Sequence, residues 1–273
     1  MTGQIQDRNS QMVDNLRADL QPRYEPNFAW KGICGLYQAL PALHAHWPMS
    51  AQINATQANY VSDVANNFHL ANIGPAEHGL DDLIPYVSLG GTPDKLFYAD
   101  NAQFDISGIE ANVLAKQRGL TMGCWFRTAA YPVGAAFFAL MAKWAGGGTN
   151  QRAYLMTLDS TGFLHGNTSD DGTAEVVNVG THALDLNEWN FCVMRFDPST
   201  SVSLRVNGNE DTFASAYASL FNSTAYFCIG ANGLTGIYNY CTGDYSMVFI
   251  AASVFSDSLV EAIWQQTRAM FRR

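Results

Sequence analysis

Carboxylates, histidines and cysteines are the residues from which this chain could build a reactive centre, and their spacing argues against one. Retaining glycan hydrolysis needs an acid and a nucleophile about 5–5.5 Å apart, which a β-strand supplies only from positions that share a face. Glu110, Glu175, Glu188 and Glu210 stand singly beside loops. The pairs Asp81–Asp82 and Asp170–Asp171 are adjacent, so an extended strand would point them to opposite faces, and they read as turn residues. No GxSxG elbow and no HExxH pair is present. His44 and His46 lie two apart on a strand-like run but have no third ligand nearby in sequence, so they read as structural or solvated. Gly146–Gly148 lacks the Lys-Ser/Thr of a phosphate loop and reads as a hairpin tip. The expectation is a protein that is not an enzyme.

The cysteines point the same way. Cys34, Cys124, Cys192, Cys228 and Cys241 are odd in number and contain no CxxC, which disfavours zinc and a disulfide framework. Cys124, Cys192 and Cys228 sit in apolar runs, where a thiol acts as a small hydrophobe, and reduced thiols match a reducing cytoplasm. The formal charge of −9 with only 15 basic residues excludes a counterion-releasing nucleic-acid surface. The opening MTGQIQDRNSQ lacks a basic start and an apolar h-region, so synthesis without ordinary secretion is expected. No run approaches the roughly 20 apolar residues of a membrane helix, so no membrane insertion is expected.

Binding chemistry is better represented. The loop KWAGGGTNQRAY (143–154) carries Trp144, Asn150, Arg152 and Tyr154 around a glycine tip, and GLTGIYNY (233–240) carries Tyr238 and Tyr240. An aromatic ring can stack on the apolar face of a sugar while amides and guanidinium fix its hydroxyls. The same residue types also serve protein interfaces, so glycan and protein remain alternatives.

These loops need a scaffold, and the sequence describes one. LTMGCWFR (120–127), RAYLMTL (152–158), WNFCVMRF (189–196), VSLRVNG (202–208), AYFCIGA (225–231) and DYSMVFIAA (244–252) are rich in aromatic and β-branched residues. In VSLRVNG, Val202, Leu204 and Val206 alternate with Ser203 and Arg205, which predicts one buried and one wet face. DYSMVFIAA is apolar on both sides, as in a central covered strand. The turns DSTG (159–162), DDG (170–172), DPST (197–200) and NG (207–208) punctuate the runs. SDSLVEAIWQQTRAMF (256–271) predicts a closing helix, capped by Ser256 or Ser258, with a Ser258–Glu261 capping box. Its core-facing anchors are Leu259, Ile263, Trp264, Met270 and Phe271.

Residues 1–35 differ from the rest: polar, with Pro22 and Pro26 and a few apolar anchors. They read as an arm, with Leu16, Leu20, Tyr24, Phe28 and Trp30 as docking residues, helped by Met12 and Val13. Ordering each residue costs about 1–2 kcal/mol, so such an arm needs a large opposing surface. The expected surface is another chain; the alternative is the arm's own domain, residues 36–273.

The strand blocks resemble a known family, the laminin-G-like jelly rolls of the concanavalin A-like lectin/glucanase superfamily. LHAHWPM (43–49), NNFHLAN (66–72), YVSLGG and DKLFYAD (86–100), LTMGCWFR, FCIGAN (227–232) and FSDSLVEAIW (255–264) are similar to successive family segments. The most specific match is LDLNEWNFCVMRFDPSTSVSLRVNG (184–208). The resemblance implies an all-β, two-sheet antiparallel jelly-roll sandwich from about 36 to 271, with a short C-terminal helix. Family glycosidases carry E-x-D-x-x-E on one strand, which this sequence lacks. Many members bind calcium through Asp and backbone oxygens; Asp170, Asp171, Asp197 and Asp244 lie in turns, but no spacing singles them out, and no cofactor is expected.

An arm before such a domain also resembles accessory virion proteins of tailed bacteriophages. Two functions follow as expectations. In the first, the chain is a non-enzymatic capsid-decoration or tail-associated protein, located in the virion. Its partners there are other virion proteins and copies of itself, with host glycans as a further partner. In the second, it is a free-standing carbohydrate-binding module whose arm is incidental.

Overall fold

The computed structural model describes residues 43–47, 49, 60–61, 70–74, 76–81, 84–101, 104–105, 119–145, 150–215, 217–233 and 239–271. The arm, with its expected docking residues Leu16, Leu20, Tyr24, Phe28 and Trp30, lies outside them, as do Cys34 and Tyr238.

The strands are β1 (Leu43–Trp47), β2 (Tyr60–Val61), β3 (Leu70–Ile73), β4 (Glu77–Asp81), β5 (Ile84–Gly90), β6 (Lys95–Tyr98), β7 (Leu120–Arg127) and β8 (Phe138–Ala145). They continue with β9 (Gln151–Leu158), β10 (Phe163–Thr168), β11 (Val176–Ala183), β12 (Asn190–Asp197), β13 (Ser201–Val206), β14 (Asn209–Ala214), β15 (Phe227–Ile229) and β16 (Thr242–Ala251). The helix α1 (Asp257–Phe271) follows. The first sheet runs β14-β13-β12-β7-β16-β5-β4, with β1 also on β16; the second runs β11-β10-β9-β8-β15-β6-β3-β2. Every pairing among the described strands is antiparallel. The expected two-sheet jelly roll is the fold.

The alternation of β7 explains the layers. Leu120, Met122, Cys124 and Phe126 enter the inter-sheet core with Met194, Phe196, Met156, Leu158, Phe227 and Ile229. Trp125 points the other way, into a second apolar cluster with Phe191, Trp264 and Phe271. Its ring stacks on Phe271 at 4.2 Å and on Trp264 at 5.3 Å, and its Nε1 donates to Thr267 Oγ1 at 3.1 Å. Gly123 is required between these residues, because a Cβ there would meet the Phe249 ring at 2.7 Å. The helix thus seals the outer face of the first sheet.

That seal corrects two expectations. Ser203 and Arg205 are buried, not wet: Arg205 meets the helix, where it pairs with Glu261, and Ser203 Oγ lies 3.1 Å from Thr212 Oγ1 on β14. Ser256 is the cap, with its Oγ accepting from Leu259 N at 3.3 Å, while Glu261 turns to Arg205 and Gln265 instead of closing a box. The buried stripe is Val260, Ile263, Trp264, Thr267 and Phe271; Leu259 and Met270 are its half-buried margins.

The sandwich is laced shut at one edge. Asp211 on β14 accepts from Thr181 N at 2.7 Å and Thr181 Oγ1 at 2.8 Å on β11, and lies 3.1 Å from His182 Nδ1. Cys124, Cys192, Cys228 and Cys241 are free and buried, and burial raises each thiol's pKa, to about 12 for Cys228. His46 is buried, which lowers its imidazole to about 3 and keeps it neutral.

Candidate ligand-binding rim

At one end of the second sheet, where β8 stops and β9 begins, three stretches of loop meet. Gln151 anchors the 217–226 segment: its carbonyl accepts from Ser223 Oγ at 2.8 Å, and its side-chain oxygen accepts from Thr224 N at 2.7 Å. Ser169 O accepts from Phe221 N at 2.8 Å, tying that segment to the 169–175 loop. Arg152 joins the same loop, its N donating to Gly172 O at 3.3 Å and its guanidinium to Thr173 O at 2.5 Å.

Gly172 is the wedge. It has φ +80°, and a Cβ would meet Asn150 O at 2.5 Å and the Phe221 ring at 2.6 Å. Asp171 fixes the loop around it, accepting from Thr173 N at 2.7 Å, Thr173 Oγ1 at 2.7 Å and Ala174 N at 2.8 Å. Those hydrogen bonds, Thr173 foremost, hold its carboxyl at about 2. Beneath the rim, the buried Lys143 lies 2.6 Å from Asp100 Oδ1 and 3.1 Å from Asp105 Oδ1, and donates to Ala225 O at 2.9 Å. The floor is charged but paired; the loops above it are prearranged by side-chain hydrogen bonds.

The expected contact residues divide. Asn150 is exposed, in a left-handed conformation at φ 51°. Arg152 is half-buried, its guanidinium lying 5.8 Å from the centre of the Trp144 ring. Trp144 is therefore buried beneath Arg152, against Ala142 and Leu155, rather than open for stacking. Tyr154 is fully buried and its hydroxyl donates to Phe104 O at 3.1 Å; β9 alternation turns it into the core, so it is no contact residue. Tyr240 is half-buried elsewhere, its ring 5.6 Å from Lys95 Nζ. Its neighbour Asn239 accepts from Ala139 N at 2.8 Å, at the opposite end of β8 from Trp144. The two expected loops are not one site.

Sequence reasoning missed Tyr217 and Phe221, which lie half-buried on the rim. Burial raises the Tyr217 phenol pKa, and the nearby charges of Asp170 and Asp171 raise it further. Neither aromatic stands in a strand-like run, so no periodicity marks it.

A second polar cluster lies on the outer face of the first sheet. Arg127 pairs with Asp81 and Asp244 and spreads over Trp189, at 4.8 Å from its centre, and Tyr86, at 5.5 Å. Its donors and acceptors satisfy one another. The four aspartates weighed for calcium do not converge: Asp244 serves Arg127, Asp171 serves the Thr173 turn, and Asp197 ends β12. Among the described residues no group of three or more His, Cys, Asp or Glu could hold a metal ion. No described helix is long and apolar enough to cross a membrane.

A two-sheet jelly roll with a loop-built rim defines a lectin-like domain in architecture. A family model described as the concanavalin A-like lectin/glucanases superfamily matches residues 101–260, more than half of the chain, and the chain belongs to that family. No curated protein matches the sequence. Among solved structures, it is similar to the binding domain of Paraclostridial mosquitocidal protein 1, with TM-score 0.63 and 13% identity over 84% of this chain and 52% of that one. It is also similar to a botulinum neurotoxin DC binding domain solved in complex with SialylT, with TM-score 0.59 and 10% identity over 84% and 52%. A Trypanosoma rangeli sialidase in complex with sialic acid gives TM-score 0.62 and 12% identity over 89% and 38%. The chain thus spans about half the length of the toxin binding domains it matches.

Proposed function

We propose that the protein is a non-enzymatic accessory protein of a tailed-bacteriophage virion, on the capsid or tail, whose lectin-like domain binds host-surface glycans through the rim. The observation that carries the binding reading is the rim itself: loops fixed by Gln151, Ser169 and Asp171 place the exposed Asn150 with the half-buried Tyr217 and Phe221. Preorganised loops lose little entropy on binding, and aromatic and amide groups are what a sugar's two kinds of surface require. Similar folds solved with SialylT and with sialic acid support a glycan as the ligand.

The non-enzymatic reading is supported by the carboxylates. Asp81 and Asp244 are held by Arg127, Asp100 and Asp105 by Lys143, and Glu210 by Arg195. No cofactor is needed for such a role. The virion reading is supported by the arm of residues 1–35, whose apolar anchors Leu16, Leu20, Tyr24, Phe28 and Trp30 fit a docking segment for virion proteins or for copies of the chain.

The test is to purify intact particles and search them for this chain by mass spectrometry, with and without residues 1–35. Presence of the full chain, and loss of incorporation with glycan binding kept on truncation, is the expected result. A chain absent from particles that still binds glycans would replace this reading with a free-standing carbohydrate-binding module.

A further inference from the structure

The charge at the rim decides which glycans it can take. Among the described residues two cations lie there, Lys143 paired with carboxylates and Arg152 held only in part. Lys143 is fully buried and lies between Asp100 and Asp105. Arg152 covers Trp144 and donates to the Thr173 carbonyl. What faces solvent is neutral or acidic: Asn150, Asp170, Asp171 and Thr224 are exposed. Asp171 stays ionised because the Thr173 and Ala174 donors stabilise its charged form.

We infer that the rim is selective for uncharged glycans, with the Tyr217 ring as stacking platform and the Asp170 carboxylate as acceptor of sugar hydroxyls, and that it rejects sialylated and sulfated ones. The inference rests on the reading of the rim as a glycan site and narrows its ligand class. Tyr217 is half-buried against the core, which holds the ring in place at little further entropic cost. Asp170 is exposed beside it, outside every hydrogen bond among the described residues, so its acceptor capacity is available. A hydroxyl donating to a carboxylate makes a charge-assisted bond, stronger than one to a neutral oxygen. An anionic sugar brought to the same place meets, among the described residues, the Asp170 and Asp171 carboxylates against the single Arg152 guanidinium, whose Nη1 is already given to Thr173 O, within a chain whose net charge is −9.

The experiment uses the full chain on an array pairing neutral oligosaccharides with their sialylated and sulfated counterparts, followed by titration of Asp170→Asn and Tyr217→Ala. The expected result is at least tenfold preference for the neutral member of each pair, insensitive to salt. Both variants should weaken neutral binding at least tenfold, and Asp170→Asn, an exposed change, should do so without altering the melting temperature. Equal or tighter binding of the acidic members would overturn the selectivity while leaving the rim as a glycan site. Neutral binding untouched by Asp170→Asn would overturn the assigned contact. No binding to any glycan would remove the rim reading and this inference together.

Discussion

The outer face of the first sheet and the rim of the second are both tightly organised, by opposite means. Under α1 the fit is apolar: Trp125, Phe191, Trp264 and Phe271 stack on one another, and few polar groups intervene. At the rim the loops are held by directional bonds from Gln151, Ser169, Asp171 and Arg152, above one buried lysine. Apolar burial is strong and indifferent to what it covers. Hydrogen-bonded loops contribute less to stability, yet they fix where donors and acceptors point. The first region holds the domain together, and the second fixes the direction of polar groups at the surface.

Breaking the apolar side should cost most. Trp125→Ala removes a fully buried ring and its bond to Thr267, and we expect a loss of about 3–5 kcal/mol, read by urea unfolding. Glycan binding by the folded fraction should be unchanged; a loss of binding at full folding would mean the two regions are coupled.

Lys143→Met tests the charged floor of the rim. It leaves Asp100 and Asp105 facing a neutral side chain, and removing one partner of a buried pair is expected to cost about 3 kcal/mol. A stability equal to the parent would show that the lysine's burial penalty cancels its pairing.

Gly172→Ala should separate binding from stability. The strained φ and the contacts with Asn150 and Phe221 should cost about 1–3 kcal/mol. Binding should fall by more than tenfold, because the loop that carries Asp170 must shift. A variant that binds normally would detach the loop from the site.

The smallest effect concerns acid. Asp159 accepts from Thr161, Phe163 and His165, and those bonds outweigh burial to hold its pKa at about 2 against an ordinary 3.8. The stability this contributes is present above about pH 4 and is lost as pH falls through the depressed value. Protection of the Phe163 amide, its exchange rate measured against the intrinsic rate at the same pH, should therefore fall between about pH 4 and pH 2, and Asp159→Asn should flatten that dependence.

The scaffold was legible because each strand advertises itself locally. WNFCVMRF and VSLRVNG became β12 and β13 with DPST between them, and DYSMVFIAA became the central β16. Burial across the first sheet was not legible, since nothing in VSLRVNG announces that a helix more than fifty residues later will cover Arg205. The site was legible only in part. Asn150 and Arg152 reached the rim, while Trp144 and Tyr154 were taken by packing, because an aromatic near a glycine tip reads alike whether it faces a ligand or the core. Phe221 comes to the rim through its bond to Ser169 and those of Ser223 and Thr224 to Gln151, while the Tyr217 carbonyl accepts from Ser199 N at 2.7 Å, all pairings between stretches apart in sequence.

The position of β16 has a consequence for the order in which the chain can assemble. It lies between β7 on one edge and β5 on the other, and β1 shares the β5 edge beyond a register break at Met247, whose φ is 48°. Until residues 242–251 exist, the first sheet is two fragments, β14-β13-β12-β7 and β5-β4, with β1 unpartnered. Closing the contact between β1 and β16 spans most of the chain, a costly loop for any folding route. On the ribosome, the unpaired edges of β7 and β5 remain available to neighbouring nascent chains until the last strand emerges. The domain is therefore completed late and nearly all at once, because the keystone strand is the last of its described strands in chain order.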